Sequence, residues 1–281
     1  MREERLASIL VARGLVDEAT LARVRAHQST RGIALEDALT DLDLVSPAEL
    51  ETARLDAGED PAGAVGAGDV RRVSSEIVML TDHNGLRAES IRALRTRIVA
   101  QHIREGRRAL VMCTPHAVSG CTFVAANLAV ALAQIGAKTL LVDADLRTPR
   151  IGPMFEIGDR QAGLSDYLAN DSLRLDEMLN PDVLPLLSIV SAGTLMANPQ
   201  ELLSSSRFKY FVDIMMREYD ITIFDTTPAN ICADAQRVST VAGYSLIVSR
   251  QHNTYVSDVS TLAKQLSADR AVVIGSVLNE F

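Results

Sequence analysis

Residues Ala109–Arg150 read ALVMCTPHAVSGCTFVAANLAVALAQIGAKTLLVDADLRTPR. The apolar run Ala109–Cys113 is a strand by length, and it enters a loop around Pro115 and Gly120. Phe123–Ile135 follows as a helical stretch, and Thr139–Asp143 is a second short strand that ends in an acid. Working outward, short apolar runs recur at Leu187–Val190, Ile221–Asp225, Tyr244–Ser249 and Ala271–Leu278, with helical stretches at Pro199–Arg217 and Tyr255–Leu266. Strands alternating with helices predict an α/β fold built on a mainly parallel sheet covered on both faces. Ligands then bind at the carboxyl ends of the strands.

The rest of the chain differs. Residues 57–75, AGEDPAGAVGAGDVRRVSS, have linker composition and separate a 1–56 region from a 76–281 region. The first 56 residues predict a small all-α domain with an internal repeat 29 residues apart. Leu6, Leu10, Leu15, Val16 and Leu21 recur as Leu35, Leu39, Leu44, Val45 and Leu50. In each copy a helix meets a turn, and Asp17 or Ser46 caps the next helix. Residues 1–70 carry 7 Arg, no Lys and 14 acids, whereas the remainder is close to neutral. Neither part is basic enough to make nucleic acid the expected partner. Three cysteines without paired spacing argue against a disulfide framework and for the cytosol. No apolar run reaches the length of a membrane span, and the charged first 30 residues do not read as a secretory signal.

With these segments in view, the chain resembles the bacterial tyrosine kinases of capsule and exopolysaccharide synthesis, a branch of the MinD/ParA-like phosphate-loop ATPases. The resemblance rests on NLAVALAQ at 127–134, LLVDADLRTPR at 140–150, GLSDYLAN at 163–170, NPQELLSSSRF at 198–208, DTTPANICADA at 225–235 and GSVLN at 275–279. It implies ATP or ADP with magnesium as the cofactor. Gly120, Cys121, Thr122 and Asn279 would lie at the nucleotide, and Asp143, Asp145 and Asp225 would be the catalytic acids. Thr122 and Asp225 would hold the metal, and Asp234 matches an acid in the loop after Asp225. A phosphate loop needs glycines, a lysine for the β- and γ-oxygens and a hydroxyl for magnesium. Where the family writes Gly-Glu-Gly-Lys-Ser-Thr, this chain has Val118-Ser119-Gly120-Cys121-Thr122-Phe123. The lysine has become Cys121, and Val118 is expected to resist a positive φ. The three lysines are Lys138, Lys209 and Lys264, none of them in the loop.

The resemblance further implies self-association through Glu89, Arg92 and Arg95, which fit the family pattern E-x2-R-x2-R; a solvated basic helix is the alternative. It also implies a membrane polysaccharide co-polymerase as partner, with the protein cytoplasmic and peripheral at the inner membrane. The family's tyrosine-rich tail has no counterpart after Tyr255 in the sequence. The 1–56 region resembles the N-terminal domain of type II secretion and pilus ATPases, in which such repeats can bind cyclic di-GMP. Arg5, Leu6 and Gly14 would serve that role here, although Ala7 replaces a Gly and the second copy lacks the Arg. Three readings stay open: a degenerate kinase acting as regulator or scaffold, an active kinase with an atypical loop using Lys138 or a neighbour's arginine, and a cyclic di-GMP-responsive adaptor.

Overall fold

The computed structural model describes residues 7, 10–11, 15–31, 35, 38–39, 42, 44–45, 73–158 and 162–280. The chain divides into two compact units, Met1–Gly68 and Asp69–Phe281.

In the first unit, α1 spans Glu18–Arg31. Asp17 starts it by accepting the Thr20 amide at 2.7 Å, a side-chain cap for an otherwise orphaned donor. The sequence repeat reappears in the backbone: the Leu15 amide bonds the Leu10 carbonyl at 3.0 Å, and 29 residues on the Leu44 amide bonds the Leu39 carbonyl at 3.1 Å. Leu10 and Leu39, and Val16 and Val45, are buried together with Ala7, Val24, Leu35 and Ala38. Arg5, Leu6, Gly14, Ser46 and Leu50 lie outside the described residues, as does most of the 57–75 segment.

The second unit holds a seven-stranded sheet: β1 Ala109–Cys113, β2 Thr139–Asp143, β3 Leu179–Leu184, β4 Leu187–Val190, β5 Ile221–Asp225, β6 Tyr244–Arg250 and β7 Val272–Asn279. Their spatial order is β3-β4-β2-β5-β1-β6-β7. Every pairing is parallel except β3 with β4. β3 escapes the apolar pattern because it is an edge strand, LNPDVL, whose Pro181 lacks a ladder donor.

The main helices are α2 Leu86–Gln101, α3 Cys121–Ala133, α4 Ser206–Glu218, α5 Asp234–Ala242 and α6 Val256–Ala268. α3 is buried on nearly every side, so its Ala- and Leu-rich sequence needs no polar face. It packs with α2 in the core cluster that contains Leu110, Met112 and Ile223. Neighbouring strand residues point the other way, so Val111, Val142 and Phe224 belong to a second cluster with α4, α5 and α6. The stretch expected as one helix over Pro199–Arg217 is two, Pro199–Leu203 and α4. Ser205 divides them because its hydroxyl caps α4 by accepting the Phe208 amide at 3.1 Å.

Candidate nucleotide site

The carboxyl ends of β1, β2 and β5 meet at one edge of the sheet, and the residues expected at the phosphate loop gather there. The loop between β1 and α3 turns on Gly120, whose φ of 81° is left-handed. Val118, expected to resist a positive φ, takes φ 61°. Its side chain is 75% exposed, so the branched Cβ meets no packed neighbour, and its carbonyl accepts Arg250 Nη1 at 3.1 Å. The conformation costs about 1–2 kcal/mol for a residue with a Cβ. Ser119 Oγ donates to the His116 carbonyl at 2.7 Å, and Asn279 Nδ2 at the end of β7 donates to the Ser119 carbonyl at 3.0 Å. Asn279, expected at the nucleotide, is buried and holds the loop through that bond.

Thr122 Oγ1 donates to Asp225 Oδ2 at 2.6 Å. Asp225 Oδ1 is buried without a hydrogen bond. Burial pushes the Asp225 carboxyl up to about 7, while the bond from Thr122 opposes that rise. Cys121 is buried beside it; burial, and then the Asp225 charge, hold its thiol far above the ordinary range. It is a neutral small side chain where the resemblance implies a cation, and it is not an activated nucleophile. His116 is committed to Asp258 on α6, with Nε2 to Oδ2 at 2.8 Å, and this contact lowers the Asp258 pKa.

The two acids at the end of β2 and just beyond it, Asp143 and Asp145, have mainly architectural surroundings. Asp143 accepts the amides of Asp145 (3.3 Å), Arg150 (3.1 Å) and Ile151 (2.9 Å), and it pins the turn that follows β2. Burial, reinforced by the Asp225 charge, raises its pKa despite those amides. Asp145 accepts the amides of Arg147 and Thr148 and the hydroxyls of Thr148 and Thr227. Asp234, fully buried at the start of α5, takes Arg147 Nε at 2.8 Å. Lys138, considered above as a substitute cation, is at the wrong end of the sheet. It precedes β2, and its ammonium sits 5.0 Å from the Tyr219 ring centroid.

The cavity above these groups measures about 330 Å³ and is lined by the 117–122 loop, Asp145, Thr148–Arg150 and Thr226. Helix α3 points its first amides at it, a favourable end for an anion. An unsatisfied carboxylate oxygen next to a hydroxyl suits a divalent cation that keeps most of its waters. Among the described residues no cluster of three His, Cys, Asp or Glu side chains forms a closed metal cage. The residues present therefore fit a magnesium nucleotide, apart from the missing lysine.

A model of the AAA domain family matches residues 116–269, more than half of the chain. The chain belongs to this family. Among relatives of this AAA-domain chain, the tyrosine-protein kinase ptk of Acinetobacter johnsonii is 30% identical over 204 residues, covering 73% of the chain but 28% of that protein. The tyrosine-protein kinase YwqD of Bacillus subtilis is 29% identical over 208 residues, covering 74% of the chain and 87% of its own length. The chain thus spans about a quarter of the longer relatives and most of the shorter ones. The solved kinase domain of the Escherichia coli tyrosine kinase ETK superposes with a TM-score of 0.71 at 27% identity, covering 76% of this chain and 83% of that one. MinD from Pyrococcus horikoshii, solved with Mg-ADP, shares the fold at 22% identity with a TM-score of 0.54.

Elsewhere, Glu89 and Arg92 pair within α2 at 3.1 Å, with Glu89 outward and Arg92 largely covered. Arg92 also donates to the His83 carbonyl, and Arg95 reaches the Ala131 carbonyl at 3.4 Å. No helix among the described residues is long and apolar enough to cross a membrane. No local signal in the sequence joins His116 to Asp258 or Asp145 to Thr227, whose members lie 142 and 82 residues apart. Arg150 has no sequence signal beyond its place at the end of the motif.

Proposed function

We propose that this AAA-domain chain is a regulatory or scaffold relative of the exopolysaccharide tyrosine kinases, one that binds a magnesium nucleotide and transfers phosphate poorly. One observation carries the reading. Cys121, neutral and buried beside Asp225, stands in the lysine's place while the Thr122–Asp225 pair remains intact at 2.6 Å. Thr122 and Asp225 would hold magnesium, and the amides at the start of α3 would face the phosphates. Magnesium, when bound, neutralises phosphate charge. Without the lysine, the charge that spreads over the transferring oxygens loses one charge-assisted partner, worth about 1.5–3 kcal/mol. Asp143 and Asp145 then act as scaffold acids that shape the turn after β2.

The resemblance supplies the setting: a cytoplasmic protein held at the inner membrane by a polysaccharide co-polymerase. Glu89 is the outward member of the self-association motif, and the 1–56 region is a docking module. The test is radiolabelling and phosphate release with purified protein and Mg-ATP. Neither self-phosphorylation on tyrosine nor hydrolysis above background is expected. Activity that Asp225→Ala abolishes would establish the second reading, an active kinase, which the intact Thr122–Asp225 pair favours.

A further inference from the structure

Of three arginines, two in the segment after β2 and one at the end of β6, two are bound to fixed partners. Arg147 is tied to the buried Asp234, and Arg250 holds the Val118 carbonyl. The third, Arg150, is the one Lys or Arg among the residues lining the 330 Å³ cavity. Its backbone is fixed, since its amide donates to Asp143 Oδ2 at 3.1 Å. Its guanidinium is not: Nη2 contacts both Glu76 carboxylate oxygens at 2.8 Å in a pair whose side chains are 54% and 43% exposed. Exposed pairs of this kind are weak and readily exchanged. Glu76 itself is held in place, because its carbonyl accepts Asn127 Nδ2 from within α3 at 2.9 Å.

We propose that Arg150 is the cation that meets the nucleotide phosphates in place of the lysine absent at Cys121, and that Glu76 is the internal anion that occupies it until they arrive. The inference rests on the nucleotide reading above and deepens it. A long side chain on a pinned backbone, paired with an exposed carboxylate at the rim of the cavity, can exchange one anion for another without moving the loop. An arginine also matches phosphate with a planar fork of donors. Nucleotide binding is then a competition with Glu76, so the resting affinity is lower than the site could give.

Calorimetric titration of the full chain with Mg-ATP, and separately with adenosine, tests this. Arg150→Gln is expected to weaken ATP about ten- to a hundredfold, the usual range for a charge-assisted bond. Arg150→Lys should recover part of that loss, and Glu76→Gln should tighten ATP severalfold. Adenosine, which has no phosphate, should be indifferent to all three. If the wild type binds ATP and neither Arg150→Gln nor Glu76→Gln changes the affinity, the role of Arg150 is overturned and the nucleotide reading stands. If the wild type binds no ATP at millimolar concentration, both fall. Glu76→Gln removes only a half-exposed charge, so it decides the matter even where an Arg150 variant folds poorly.

Discussion

Gly120 and Asn279 are fitted against each other: a Cβ added to Gly120 would collide with the Asn279 amide nitrogen. Gly120 supplies the left-handed turn at φ 81°, and Asn279 uses the space beside it to donate to the Ser119 carbonyl. The last residues of β7 thereby hold a loop that lies 160 positions earlier in the chain.

Gly120→Ala should therefore destabilise the protein by more than the roughly 1–2 kcal/mol of the left-handed backbone alone. Asn279→Ala, which leaves a buried carbonyl unsatisfied, should cost about 1–3 kcal/mol. The double variant should be less destabilised than the sum, because the steric part of the first change disappears with the second. Urea unfolding of the four proteins checks this, and strict additivity would count against the fit.

Restoring the family's loop chemistry should strengthen nucleotide binding. Val118→Gly removes the strain at φ 61° while losing little buried surface, and Cys121→Lys places a cation beside Asp225. The double variant should bind Mg-ATP about ten- to a hundredfold more tightly than wild type, measured by calorimetry. An unchanged affinity would mean that the cavity above Thr122 does not take phosphates.

His102 gives a pH signature away from the cavity. It caps the end of α2, fully buried, with Nε2 against the Ala109 carbonyl at 2.9 Å and its ring edge-on to Tyr244. Burial lowers its pKa below 6.5; Arg107 adds to the drop, while the Ala109 carbonyl and Glu105 oppose it. Below pH 6.5 the unfolded chain takes up a proton that the fold excludes, so this group's contribution to stability falls as pH falls. Relative to His102→Gln, which stays neutral, the wild type should lose stability between pH 6.5 and 5, by up to about 1.4 kcal/mol per pH unit. Chemical denaturation of both proteins across that range reads it; parallel profiles would contradict the assignment.

Much of the fold was legible because its signals are local. Six strands, the helices over 123–135 and 255–266 and the 29-residue repeat follow from apolar runs, periodicity and caps, which neighbours in sequence decide. The misses have the same logic in reverse. β3 is an edge strand with a proline and does not need an apolar run. The break at Ser205 depends on a hydroxyl that could equally have sat inside a helix.

For the site, the sequence by itself determined which chemistry was available: a loop glycine, a hydroxyl, a row of acids and no lysine before position 138. Tertiary structure alone decided what each group does. Asp143 and Asp225 sit side by side because β2 and β5 are parallel and in register there. The same burial that raises both their pKa values leaves Asp143 three amides to accept and Asp225 one bare oxygen. Arg150 reaches the cavity for a reason of the same kind: its backbone hangs from Asp143, and the nearest carboxylate to its guanidinium is Glu76, 74 residues earlier. Desolvation and distance are properties of the packed chain, so no spacing in the sequence could have assigned those roles.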